Sequence, residues 1–221
     1  MHAALLLLAD SRLPAGGHGH SGGAEEAVRT GAIHDLTSLA AFLRGRLATA
    51  GLVAAGLAAA ACEYGASANR AGWIRLDAEA DARTSSPAQR DTSRTQGRLL
   101  LRTARRIWPS PALDVLAESL PQGAHHPAAL GAAAGAAGCA PGEAALASAY
   151  TAVTGPATAA VRLLGLDPVA VHRLLADLAP DLERIAAITP TGWEALPAHA
   201  APALDLLAER HIRSELRLFV S

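Results

Sequence analysis

Apolar residues recur along most of this chain at the three- and four-residue spacing of a helix face. Leu36, Leu39, Ala40, Leu43 and Leu47 form one such stripe, and on a 3.6-residue helix those positions lie together. Asp35 or Thr37 stands where a cap is needed, so the stripe predicts a long helix running to about Tyr64. Ser86-Pro87 and Asp167-Pro168 each join a capping side chain to a proline at the first helical position. They predict helices from 87 to about 108 and from 169 to about 188. Similar patterns predict helices over roughly 3–9, 24–30, 69–82, 111–120, 127–138, 142–164 and 202–214, with Pro156 as a kink or break in the 142–164 segment. No run of four to eight residues alternates as a strand. The expectation is a single all-α domain over 1–221, of about eight to ten helices, ending in an extended tail over 215–221 that a partner could order.

Composition sharpens this picture. Alanine and leucine dominate while aromatics make up only 3% of the chain, a balance that favours helices over strands. The many alanines and glycines imply closely packed helices with small-residue seams. All the basic residues are arginine. That excludes chemistries built on a P-loop lysine or a Schiff-base lysine. A net charge of −1 does not suggest a polyanion binder. Cys62 and Cys139 belong to no CxxC pair and sit in alanine-rich surroundings. They read as buried thiols of a reducing compartment. The apolar run 3–9 lacks a basic flank and is followed by Asp10 and Arg12, unlike a signal peptide. The uncharged stretches 47–62 and 144–161 do not read as membrane spans. A cytoplasmic protein without membrane contact is expected.

Four features are candidates for chemistry. Gly19-His20-Ser21-Gly22-Gly23 fits the nucleophile-elbow pattern of serine hydrolases. An elbow, however, needs a strand directly before the serine, and 13–17 is a poor strand. His18 and His20, with Asp10 nearby, could offer two imidazoles to one ion, but no third and fourth ligands follow at diagnostic spacing. No permanent metal or other bound cofactor is expected. Arg90, Arg94, Arg98, Arg102 and Arg106 recur every fourth residue, which on a helix gives a ridge drifting by about 40° per step. The ridge can pair with neighbouring carboxylates, meet an acidic protein, or bind nucleic acid, although only Trp108 lies near as a stacking group. Leu216, Leu218 and Phe219 would be sticky if exposed, and the tail should dock on its own core or on a partner.

Taken together, these pieces resemble the UreF family of urease accessory proteins. Asp10, Ser11, Leu13, Pro14, Gly16, Gly17, His20, Ser21, Gly23 and Glu25 follow the family's N-terminal signature, with His18 at its aromatic position. Arg90, Ser93, Gly97, Leu100 and Leu101 resemble its central element, 125–135 resembles a later segment, 149–166 resembles its long helix, and the ending Arg217-Leu218-Phe219-Val220-Ser221 resembles its C-terminal motif. The resemblance implies a non-enzymatic, dimeric, all-helical protein. It would assemble with UreD (also called UreH) and with UreG, a GTPase that carries nickel, to deliver nickel to the urease apoprotein and to couple or regulate the GTPase step. Nickel would be handled by the complex, without nucleic acid or membrane. Under this reading the partner-binding residues are Pro14, Gly16, Gly17, His18, His20, Ser21, Glu25, Arg90, Arg94, Arg217, Leu218 and Phe219. Ser21 becomes a loop residue that helps place the next helix, as its N-cap. The sequence departs from the family at His18, where an aromatic is usual, and at Ala24, where leucine is usual. A serine esterase at Ser21 and a nucleic-acid binder on the Arg90–Arg106 ridge are the alternative readings.

Overall fold

The computed structural model describes residues 2–65, 69–188 and 192–220. Among them are eleven α-helices and no strand. They are α1 (Ala4–Ala9), α2 (Ala24–Arg29), α3 (Leu36–Tyr64), α4 (Arg70–Ala82), α5 (Pro87–Ile107), α6 (Pro111–Ser119), α7 (His126–Ala136), α8 (Pro141–Leu164), α9 (Pro168–Asp177), α10 (Ala179–Ala186) and α11 (Pro202–His211). The helix starts follow their capping chemistry. Asp35 accepts the Ser38 N–H at 2.7 Å, while the Ser38 hydroxyl oxygen accepts the Asp35 N–H at 3.0 Å. Ser86 and Asp167 accept from Gln89 and Val169 at 3.1 and 3.0 Å. Each cap satisfies a donor that the helix cannot pair itself.

Two boundaries differ from expectation, and both involve proline. The segment expected as one helix from 169 to 188 is two, because Pro180 lies in the first turn of α10 and has no N–H to continue α9. This split supplies the eleventh helix. Conversely, Pro156 does not end α8, which remains helical from Pro141 to Leu164. The carbonyl of Ala152, four residues back, loses its usual donor and takes one from elsewhere, as described below.

Two apolar clusters form the core, and α3 and α8 contribute to both. Leu57, Ala58 and Ala61 of α3 pack with Trp73, Leu76, Leu100, Leu101, Leu113, Leu116 and the alanines of α7. Leu39, Leu43 and Leu47 pack with Val153, Ala157 and Ala160 of α8, with Val171, Leu178 and Ile185, and with Phe219 from the tail. The small-residue seam is real: a methyl at Gly131 would run into the carbonyl of Ala58, and one at Gly97 into the carbonyl of Ala124. The helix α3 is long and apolar enough to cross a membrane by composition, yet 56% of its most apolar window is buried inside this fold. Its run contains a π-helical stretch, Leu47–Gly51, directly after Arg46.

Candidate functional site

The loop between α1 and α2 is shaped by backbone that only glycine adopts easily. Gly16, Gly22 and Gly23 have φ of 77°, 59° and 89°, in the left-handed region. Between them Gly17–Gly19 form one 3-10 turn. The loop is fastened at both ends. Thr103 of α5 donates its hydroxyl to the Pro14 carbonyl at 2.8 Å. At the far end, Ser21 is fully buried and its Oγ accepts the Glu25 N–H at 3.3 Å. Gly23, not Ser21, is the N-cap residue of α2, and it has no side chain to offer. Ser21 serves the open helix end from two residues upstream, close to the role expected of it. What precedes Ser21 is a glycine turn, so the strand that a nucleophile elbow requires is missing at this serine.

The tail folds back onto this loop. Glu25, in the first turn of α2, accepts the Leu218 N–H at 2.6 Å and the Phe219 N–H at 3.1 Å. Val220 donates its N–H to the Gly19 carbonyl at 2.8 Å. The buried imidazole of His211 donates from Nε2 to the Phe219 carbonyl at 3.3 Å and stands 3.8 Å from Glu25 Oε2. Phe219 is buried in the second cluster, with the Arg162 guanidinium 5.9 Å above its ring. The other tail side chains point outward: Leu216 is 92% exposed and Leu218 78%, with Arg217 exposed between them. Pro14, Gly17 and His18 are also exposed. Docking on the chain's own body is therefore the observed arrangement for Phe219, while its neighbours stay uncovered.

A cleft of about 970 Å³ runs beneath the loop and is lined in part by His18, His20, Arg46, His126 and Arg162. Burial pushes His20 below the usual imidazole range, with His18 adding to the effect. Burial likewise pushes His126 down to about 4, with His20 adding. Both rings are therefore neutral at pH 7. Among the described residues no three His, Cys, Asp or Glu side chains gather as a metal cluster.

Arg90 and Arg94 lie elsewhere, on α5, and are engaged within the chain. Arg94 pairs with Asp77 and Asp81 at 2.8 Å each and donates to the Gly123 carbonyl at 2.9 Å. Arg90 donates to the Thr84 carbonyl at 2.9 Å. The same node holds a serine, a histidine and a carboxylate in line. Ser93 Oγ lies 3.1 Å from His125 Nδ1, and His125 Nε2 lies 2.9 Å from Asp81 Oδ1. Because Asp81 can only accept, Nε2 carries the proton and Nδ1 accepts from Ser93. Ser93 in turn accepts the His126 N–H at 3.0 Å. The order is reversed relative to a Ser-His-Asp triad, in which the serine addresses Nε2 and the acid Nδ1. These bonds tie the start of α7 to α4 and α5. Burial would raise the Asp81 carboxyl, but His125 and Arg94 together hold it below its ordinary value.

Two contributors were not anticipated from the sequence. His211 was one histidine among nine, with nothing in its neighbours to single it out. Arg46 carried a signal at a distance: a proline within a long helix leaves a carbonyl in need of a donor. Arg46 Nε donates to that carbonyl, Ala152, at 2.8 Å, and Nη1 donates to the Gly22 carbonyl at 2.9 Å.

Comparison with known proteins agrees with this architecture. The UreF family model matches residues 33–179. A urease accessory protein UreF from Mycolicibacterium vanbaalenii is 48% identical, covering 99% of this chain and 98% of that protein. One from Mycobacterium sp. (strain JLS) is 47% identical, covering 98% of this chain and 97% of its own length. One from Mycobacterium tuberculosis (strain H37Rv) is 43% identical, covering 99% and 98%. With the family model matched over residues 33–179 and similarity along nearly the full length, the chain belongs to the UreF family of urease accessory proteins.

Proposed function

We propose that this protein is a non-enzymatic scaffold of urease maturation. It acts with UreD (UreH) and the GTPase UreG to insert nickel into the urease apoprotein, and it couples or regulates the GTPase step. It works as a cytoplasmic homodimer. Nickel is the cargo of the assembly rather than a resident ligand of this chain.

One observation carries the reading: the N-terminal loop and the C-terminal tail form a single platform on which the exposed side chains Leu216, Arg217 and Leu218 stand together. Leucines left 92% and 78% exposed beside an arginine suit the core of a protein interface better than open solvent. The buried half of the tail fixes the position of the exposed half, so the surface is preorganised for a partner.

The test is co-expression with UreD and UreG homologues, followed by capture. The wild-type chain is expected to bring down both. The Leu216→Asp/Leu218→Asp variant should fold with near-unchanged stability, since both side chains are exposed, yet fail to capture UreD. Full capture by that variant overturns the assignment of this surface.

A further inference from the structure

We infer that Arg46 is the positioning residue of the loop–tail platform, a clamp that ties the loop to the proline-interrupted helix α8. It rests on three observations that coincide at one side chain. Pro156 cannot donate to the Ala152 carbonyl, and Arg46 Nε takes the place of that donor at 2.8 Å. The same guanidinium reaches the Gly22 carbonyl through Nη1 at 2.9 Å. Gly22 sits in the left-handed region with φ of 59°, close against both Pro156 and Arg46. Arg46 itself stands where α3 passes into its π-helical stretch, a local widening often found at functional positions.

The geometry makes one connected path from α8 to the tail. Arg46 fixes Gly22, the loop presents the Gly19 carbonyl to Val220, and Glu25 just beyond it holds Leu218 and Phe219. Burial pushes Arg46 down to about 10, so it remains cationic at neutral pH. It thus gives charge-assisted bonds in a partly desolvated place, where they are strongest. Pro156 and Arg46 work as a pair. An ordinary residue at 156 would satisfy Ala152 by itself and leave the arginine with a single tie.

The inference rests on reading the platform as partner-facing, and the experiment separates the two claims. Amide hydrogen exchange is measured on the whole chain for wild type, Arg46→Met, Pro156→Ala and the Arg46→Met/Pro156→Ala double variant, alongside thermal unfolding. Arg46→Met is expected to lower the Tm and to speed exchange at Val220 and Phe219 several-fold, toward the rate of an undocked tail. In the double variant the backbone N–H gained at position 156 satisfies Ala152, so the Tm recovers toward that of Pro156→Ala. Exchange in the tail stays fast, because nothing holds Gly22. Should Arg46→Met alone not fold, the double variant is compared with Pro156→Ala for the same tail exchange. Tail exchange equal to wild type in Arg46→Met, or restored together with the Tm in the double variant, overturns the clamp. Fast tail exchange with undiminished UreD capture keeps the clamp and refutes the partner-facing reading instead.

Discussion

Removing the Glu25 carboxylate should release the C-terminal tail. The Glu25→Ala change deletes both acceptors that hold the Leu218 and Phe219 amides. Burying Phe219 contributes roughly 2 kcal/mol, and the two bonds to Glu25 and the Val220 bond to Gly19 contribute about 1 kcal/mol each. Against these stands the cost of ordering three residues, about 1–2 kcal/mol apiece. The docked tail is therefore favoured by only ~1 kcal/mol, and losing about 2 kcal/mol inverts the balance. The assay is digestion with a carboxypeptidase at a temperature well below the Tm. Wild type should resist once digestion reaches the docked residues, and Glu25→Ala should lose Val220 and Phe219 several times faster. Equal rates in the two proteins would refute the reasoning, since they would mean that Glu25 does not hold the tail.

Further expectations address the rest of the fold. Gly131→Val should destabilise the protein by several kcal/mol, because the new side chain meets the Ala58 carbonyl across the α3–α7 seam; chemical denaturation measures this. Arg94→Met should cost about 3–5 kcal/mol by leaving the buried Asp77 carboxylate without its cation, whereas Arg102→Met on the exposed side of α5 should change stability by less than about 0.5 kcal/mol. Stability should fall as the pH drops below about 6.5: the unfolded chain then binds a proton at His126, which the folded chain refuses until about 4. The loss attributable to His126 by pH 5 is up to about 2 kcal/mol, and His126→Gln should flatten that part of a denaturation-versus-pH profile.

Much of the architecture was legible because local signals governed it. Asp35, Ser86 and Asp167 each announced a helix start by pairing a cap with an apolar stripe or a proline, and each start is where those residues place it. Proline gave the weaker guidance, because its consequence depends on what is near in space. At 180 the helix restarts; at 156 an arginine 106 positions away from the orphaned carbonyl supplies the missing donor and the helix continues. The loop and tail motifs could be read at the two ends of the chain, but not their junction. Glu25 bonding to the Leu218 amide spans 193 residues, a separation over which sequence spacing carries no information. The arginine ridge looked uniform by its period of four, yet Arg94 turns inward to two aspartates while Arg102 faces solvent. That difference comes from α4, whose carboxylates meet only part of the ridge.

The central claim is that this chain promotes urease maturation through the loop–tail platform. It is tested most directly by urease activity in a host that lacks its own UreF homologue but retains the other accessory genes. Expression of the wild-type chain should restore activity and bound nickel to urease while apoprotein levels stay constant. The Leu216→Asp/Leu218→Asp variant, folded and equally abundant, should leave urease without nickel. Full nickel loading with that variant, or none with the wild-type chain in its cognate system, would contradict the account.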